Sequence, residues 1–191
     1  MARLRQYEAL LGKWQKAINL VGPATLADSW NRHFVDSAQM APLLPPEAKT
    51  LYDLGSGAGF PGLVLAILRP ELEVTLIESD HKKAAFLSTV SHETKTPVKV
   101  LTTRIEQAAE SLPAPDVVSA RALASLGDLL TYIKPWALQR PGLLCLFPKG
   151  AQADAEIEAA QGFARFSAER IPSRTDPAAQ ILRLTNIAYP A

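Results

Sequence analysis

The stretch Asp53-Leu54-Gly55-Ser56-Gly57-Ala58-Gly59-Phe60-Pro61-Gly62 decides the fold. It is preceded by a short apolar run, Thr50–Leu54, and followed by Pro61–Leu68, apolar throughout with proline in its first turn. A strand that ends in glycines and hands over to a proline-led helix is the opening unit of a nucleotide-type site. Glycine permits positive φ and lets a ligand approach the backbone. The helix that follows offers unpaired N–H groups and the positive end of its dipole. Such a turn suits a pyrophosphate or the carboxylate of an amino-acid moiety.

Downstream, strand and helix alternate. Val74–Ile77 is a β-branched strand ending at Glu78, 19 residues after Gly59 and suited to accept hydrogen bonds from ribose hydroxyls. Asp80 is placed to cap a helix through Lys82, Ala85, Phe86 and Val90. Val98–Leu101, Val117–Ala120 and Leu143–Phe147 read as further buried strands, with helices near Glu106 and from Leu126 to Ala137. This succession predicts an α/β, Rossmann-like fold with a mostly parallel sheet and helices on both faces. In the tail, Phe166–Ile171 and Ile181–Ile187 flank the turn-rich Pro172–Pro177, which predicts a C-terminal antiparallel hairpin.

Upstream, Tyr7, Leu10, Leu11, Trp14 and Ile18 form one apolar stripe of a helix that Gly22-Pro23 ends. A second helix is predicted from near Thr25, with Asp28 as a loose capping partner and Trp30, Phe34 and Ala38 on one side. Pro42, Pro45 and Pro46 close it. The expected organisation is one domain, with residues 1–48 a helical extension on a core of 49–191.

Bulk properties set the limits. The 191 residues are 48% hydrophobic, enough for one sizeable core. A single cysteine, Cys145, fits a reducing compartment, and no signal-peptide or membrane-length apolar run is present. A cytoplasmic protein is therefore expected. The net charge is +1, with +3 over residues 1–33 and +2 over 165–191. Basic ends can hold phosphates, but solvated surface charge explains them as well. Lys82-Lys83 reads as a solvated helix face, and Trp14, Trp30 and Trp136 as packing aromatics rather than base-stacking platforms.

Spacing separates the two obvious ligands. A dinucleotide fingerprint wants Gly-x-Gly-x-x-Gly, whereas here the order is Gly55-x-Gly57-x-Gly59 with Asp53 two residues before. Together with the C-terminal hairpin, that favours S-adenosylmethionine over NAD, and hence methyl transfer. A nicotinamide-dependent oxidoreductase and a non-catalytic RNA-binding module remain the alternatives. Transfer to cytosine C5 needs a thiolate, but Cys145 lies inside the apolar run Leu143–Phe147. Transfer to an exocyclic amine commonly uses an Asn/Asp-Pro-Pro-Tyr/Phe loop, and the matching position reads Ser119-Ala120-Arg121-Ala122. A ring nitrogen with a free lone pair needs neither group, so His33 is not required as a general base.

The residues also carry a specific resemblance. Trp14-Gln15-Lys16-Ala17-Ile18-Asn19-Leu20, Arg32-His33-Phe34-Val35-Asp36-Ser37, Asp53 to Gly62, Glu78 to Leu87, Ser119 to Ala122 and Lys149-Gly150 resemble the glucose-inhibited division protein B family. That family comprises bacterial guanine-N7 methyltransferases of 16S ribosomal RNA. Val21 stands where the family usually has threonine. The resemblance implies a guanine N7 in the 530 loop of 16S rRNA as acceptor, S-adenosylmethionine as cofactor, and 16S rRNA or the small subunit as partner. It implies that Gly55 and Phe60 contact the cofactor, that Ile105 and Glu106 flank its adenine, and that Arg121 shares the pocket. With Asp53, Ser56, Gly57, Gly59 and Glu78 these make up the expected cofactor site. Arg32, His33 and Asp36, within one helical turn, would otherwise be an ordinary helix ion pair worth about 0.3–0.5 kcal/mol. With the resemblance they become, like Arg121, candidates for the catalytic centre. Arg32, His33 and Lys149 are candidates for RNA contact. No metal is expected, and nothing demands more than a monomer.

Overall fold

The computed structural model describes residues 1–190. Helix α1, Ala2–Trp14, buries Leu4, Tyr7 and Leu11. It stops one turn short of the predicted Ile18 because the Gln15 amide folds over the next loop. Its Oε1 accepts from the N–H groups of Leu20 (2.9 Å) and Val21 (3.0 Å), and its Nε2 donates to Val21 O (2.8 Å).

The second predicted helix is instead three pieces: α2, Pro23–Leu26, a π-helical segment Trp30–Val35, and α3, Asp36–Ala38. Gly22 precedes the first piece. The expected Thr25–Asp28 pair does not form, for Thr25 Oγ1 donates to Gly22 O and Asp28 accepts from Asn31. The wider π turn, in which Asp36 N bonds to Asn31 O, rotates the side chains that follow it. Such segments cluster at functional sites.

From residue 50 the alternation holds. Strand β1 is Thr50–Leu54, helix α4 Gly62–Leu68, β2 Glu73–Ile77, α5 His81–Glu93, β3 Lys99–Leu101 and α6 Ile105–Ser111. Then follow β4, Val117–Ala120, α7, Leu126–Gln139, β5, Leu144–Lys149, α8, Ala153–Ala160, β6, Arg165–Pro172, and β7, Gln180–Ala188. Asp80 caps α5 as expected, accepting from Lys82 N and Lys83 N. Helix α8 has no counterpart among the expected elements, because its stripe is made of small residues, Ala153 and Ala160 beside Ile157.

The seven strands lie in the order β3-β2-β1-β4-β5-β7-β6. The first five are parallel, and β7 runs antiparallel between β5 and β6. One face is covered by α1, α4 and α5, around Tyr7, Phe34, Phe60, Leu63 and Phe86. The other is covered by α6, α7 and α8, around Trp136, Phe147 and Leu130. Trp136 is fully buried, while Trp14 and Trp30 lie partly buried against the first core. The strand order reverses between β1 and β4, where ligands of open α/β sheets collect beyond the carboxyl ends of the strands. Among the described residues no helix is long and apolar enough to cross a membrane.

Candidate functional site

A cavity of about 800 Å³ opens at that switch point. Its floor is the turn after β1. Gly55, Gly57 and Gly59 all have positive φ, and at Gly59 (φ +90°) two constraints coincide. A Cβ there would stand 2.5 Å from Leu63 Cδ1 and 2.6 Å from the Tyr7 hydroxyl. That hydroxyl donates to Ala58 O, and the Tyr7 ring stacks on Phe60 with centroids 5.2 Å apart. The N-terminal helix thus supports the glycine turn directly. In the sequence Tyr7 read only as one member of an apolar stripe, and nothing there foretells what its hydroxyl meets.

Two acids flank the turn. Glu78 accepts from Gly57 N and from Asp80 N, each at 2.8 Å, and so holds the turn against the end of β2. A carboxylate that receives two N–H bonds keeps lone pairs for further donors. Asp53 is fully buried. Its Oδ1 accepts from Ser119 Oγ at 2.7 Å across the β1–β4 pair, while Oδ2 has no hydrogen-bond partner. Burial pushes its carboxyl up to about 6, opposed by the Ser119 and Ser56 hydroxyls. The Gly62 backbone N–H at the start of α4 also favours the charged form, and Oδ2 lies beside it rather than in the cavity lining. On the β3 side, Ile105 and Glu106 line the same cavity as Gly55, Ser56, Gly57 and Phe60.

Arg121 joins the predicted groups. The chain turns sharply after β4, with Ala122 in the left-handed region (φ +52°). Arg121 is thereby aimed back over the Phe60 ring, 5.1 Å from its centroid, and the Leu123 side chain lies over Gly55. Its guanidinium donates to Arg32 O (3.1 Å), Asp36 Oδ2 (3.2 Å) and His33 Nδ1 (3.1 Å). His33 lies over Phe60 from the other side, centroids 5.1 Å apart, and its Nε2 is 2.9 Å from Thr25 Oγ1. Thr25 has spent its proton on Gly22 O, so Nε2 carries the imidazole proton and Nδ1 is the acceptor. Burial, then the Arg121 charge, lowers His33 to about 4. The imidazole is a neutral spacer with both nitrogens engaged.

Asp36 is as fully engaged. Besides Arg121, it accepts from Thr175 Oγ1 (2.7 Å) and Gln39 Nε2 (2.9 Å). The Gln39 amide also bonds Ser173 Oγ and Arg174 N. These contacts pin the β6–β7 turn over the π segment, so Ser173, Thr175 and Asp176 form a wall of the cavity facing the glycine turn. The tail carried no recognisable site signal in the sequence, and only the strand order brings it here.

Lys149 reaches the same edge but points into the structure. Its ammonium donates to Ala124 O and Glu156 Oε2, each at 2.7 Å, with the side chain 9% exposed. Glu156 accepts as well from Leu126 N, at the start of α7. The lysine is a strut between β5, α7 and α8, and the RNA contact expected of it is not the role this geometry presents. Cys145 is buried in β5, where desolvation raises its thiol far above the ordinary range, in line with a packing role.

The chain matches the family model "GidB: rRNA small subunit methyltransferase G" over residues 1–180. It is 55% identical over 186 residues to the ribosomal RNA small subunit methyltransferase G of Rhodospirillum centenum, covering 97% of this chain and 84% of that one. It is 48% identical to that of Paramagnetospirillum magneticum, covering 98% and 89%. Among solved structures it resembles magnesium protoporphyrin IX methyltransferase of Synechocystis, with TM-score 0.63, 11% identity, and 95% and 97% covered. It also resembles a precorrin-6y C5,15-methyltransferase of Geobacter metallireducens, with TM-score 0.58, 13% identity, and 88% and 93% covered. At those identities the structural likeness speaks to the fold.

Proposed function

The chain belongs to the rRNA small subunit methyltransferase G family, and from that premise we propose that it transfers a methyl group from S-adenosylmethionine to N7 of a guanine in the 530 loop of 16S rRNA. The observation that carries this reading is a cavity with two unlike halves, a glycine cradle on one side and the hairpin turn on the other, divided by Phe60 and Arg121.

The residues present fit the cofactor. Bare backbone at Gly55–Gly59 suits the close approach of its amino-acid moiety. Asp53 stands behind the turn, fully buried with its Oδ2 beside Gly62, and would act on the cofactor through the turn rather than by direct contact. Glu78 would receive the ribose hydroxyls, and Ile105 and Glu106 would flank the adenine. Bound there, S-adenosylmethionine supplies an electrophilic methyl group on a sulfonium. What remains for the protein is alignment and exclusion of water. Arg121, held by three partners, braces the Phe60 face of the glycine turn and fixes the π segment to β4. A guanine N7 attacks with its own lone pair and loses no proton, so the site needs no base. The engaged, neutral His33 and the buried Cys145 agree with that chemistry.

The N-terminal helices and the sheet work as one methyltransferase domain, since Tyr7 and Phe34 pack on Phe60 within one core. Incubation with methyl-labelled S-adenosylmethionine and, separately, naked rRNA, small ribosomal subunits, tRNA and protein tests the proposal. Label should enter 16S rRNA, and borohydride–aniline cleavage should map it to a guanine N7. Label in no pool would overturn the enzyme reading. Calorimetric titration should detect S-adenosylmethionine and not NAD.

A further inference from the structure

On the hairpin side of the cavity most charged groups are already spent. Asp36 is saturated by Arg121, Thr175 and Gln39, and Lys149 by Glu156 and Ala124 O. Two remain open to a ligand: the Arg32 guanidinium, 47% exposed, and the Asp176 carboxylate, 36% exposed. They stand side by side, with Nη1 to Oδ2 at 3.4 Å. That is long for an ion pair, where about 2.7–2.9 Å is usual. The backbone beneath each is fixed. The Arg32 carbonyl is held by Arg121, which sets where its side chain starts. Asp176 sits in a turn closed by Ala179 N on its carbonyl and by Ala178 N on its Oδ1. That turn is bolted to Asp36 and Gln39 through Thr175, Ser173 and Arg174.

A donor beside an acceptor on a rigid wall is a pattern that a base edge can match. A guanine that attacks through N7 must keep N7 uncapped, so the protein can read only the other groups of the base edge. Those handles are O6, an acceptor, then N1–H and the N2 amine, both donors. Adenine presents the reverse, an amine followed by a bare ring nitrogen that a carboxylate would repel. We infer that Arg32 and Asp176 form the base-reading element of the acceptor site, Arg32 donating to O6 and Asp176 accepting from N1–H and the N2 amine. The inference rests on the guanine-N7 reading above and adds to it a residue from the hairpin turn as the determinant of base identity. Once a base covers these two exposed groups, the wrong edge would leave them desolvated and unpaired, which is the source of the discrimination.

The test is a cycle between protein and substrate. Methyl transfer is measured for the parent, Asp176→Ala and Asp176→Asn on RNA carrying guanosine or inosine at the acceptor position, inosine lacking only the N2 amine. Cofactor affinity is measured by calorimetry. Asp176→Ala should lower kcat/KM on guanosine RNA roughly ten- to hundred-fold, with cofactor Kd unchanged. Inosine should slow the parent several-fold yet make no difference to Asp176→Ala. An inosine penalty that persists undiminished in Asp176→Ala would overturn the inference, as would a variant that works at the parent rate. A variant whose hairpin is merely loosened would lose activity on both RNAs alike and keep the penalty, which also counts against it. Failure of the parent itself to label any guanine N7 would remove the functional reading and this inference with it.

Discussion

The hydroxyl of Tyr7, in the first helix, donates to the carbonyl of Ala58 at the centre of the glycine turn. The two residues are 51 positions apart, and both are buried. A segment that reads as an appendage in the sequence is therefore a structural member of the proposed cofactor site.

Tyr7→Phe should remove the bond and keep the stacking on Phe60. Leaving the Ala58 carbonyl unpaired costs about 1–3 kcal/mol, a fall of roughly 2–4 °C in melting temperature per kcal/mol for a chain of this size. S-adenosylmethionine affinity should weaken several-fold in a calorimetric titration. Affinity equal to the parent's would show that the helix does not govern the turn.

Gly62→Ala gives a sharp test of sign. Gly62 opens α4 with negative φ, where alanine ordinarily gains about 0.5–1 kcal/mol. Here the added Cβ would lie 2.5 Å from Leu76 Cδ2 and 2.7 Å from Asp53 Cβ, both buried and immobile. The expected outcome in a denaturant titration is a net loss of about 1–2 kcal/mol, since forced overpacking costs roughly 1–3. A stabilised variant would contradict the packing described.

Asp36→Ala strips Arg121 of its carboxylate and releases Thr175 at once. Both side chains of the ion pair are 17% exposed, so the loss should be about 2 kcal/mol, below the 3–5 typical of a fully buried pair. Methyl transfer should fall more than ten-fold. Thr175→Val should cost only about 1 kcal/mol, the worth of one hydrogen bond.

Two titrations run in opposite directions. His33 binds its proton near pH 4 when folded and near 6.5 when unfolded, so it should draw stability down as pH falls between those values. A pH series of melts should be flatter in that window for His33→Gln. Asp53, near 6 when folded and 3.8 when unfolded, costs stability as pH rises through 4 to 6. Asp53→Asn, without cofactor, should therefore gain on the parent over that range and hold a constant difference above it. A difference that shrinks with rising pH would refute the buried carboxylate as drawn.

Lys149→Gln should lower the melting temperature, because Glu156 and the start of α7 lose their cation. The dependence of RNA affinity on salt should stay as in the parent. A lysine that contacts phosphate would reduce that slope by about one unit on removal.

Sequence and structure differ most where apolar periodicity is silent. The stripe through Tyr7, Leu10 and Trp14 marks a helix, yet a side-chain amide decides where it stops, through Gln15 on Leu20 and Val21. Likewise Trp30, Phe34 and Ala38 pack on one core as expected, but i, i+4 steps over so short a segment fit an ordinary helix and a π turn alike. The π turn is a matter of backbone hydrogen bonding, Asp36 N to Asn31 O, and it accompanies the convergence of Arg32, His33 and Asp36 on Arg121. Lys149 looked available for RNA because it lies beside Gly150 at the end of a strand. Its partner Glu156 belongs to α8, a helix whose buried stripe is mostly alanine and gives no strong apolar signal.

The sequence alone determined the β–α alternation, the ligand turn with its two acids and the antiparallel tail. Each depends on short-range rules: hydrophobic period, proline and glycine conformations, and residues at the ends of strands. Only the tertiary structure decided that Tyr7 would hold Ala58, that Asp53 would keep a buried oxygen without a partner, and that the β6–β7 turn would wall the cavity with Asp176 beside Arg32. Those contacts join positions 51 to 144 residues apart. The last follows from the insertion of β7 between β5 and β6, and the first from the packing of α1 on the core around Phe60; both are set by burial summed over the whole sheet, which no local pattern encodes.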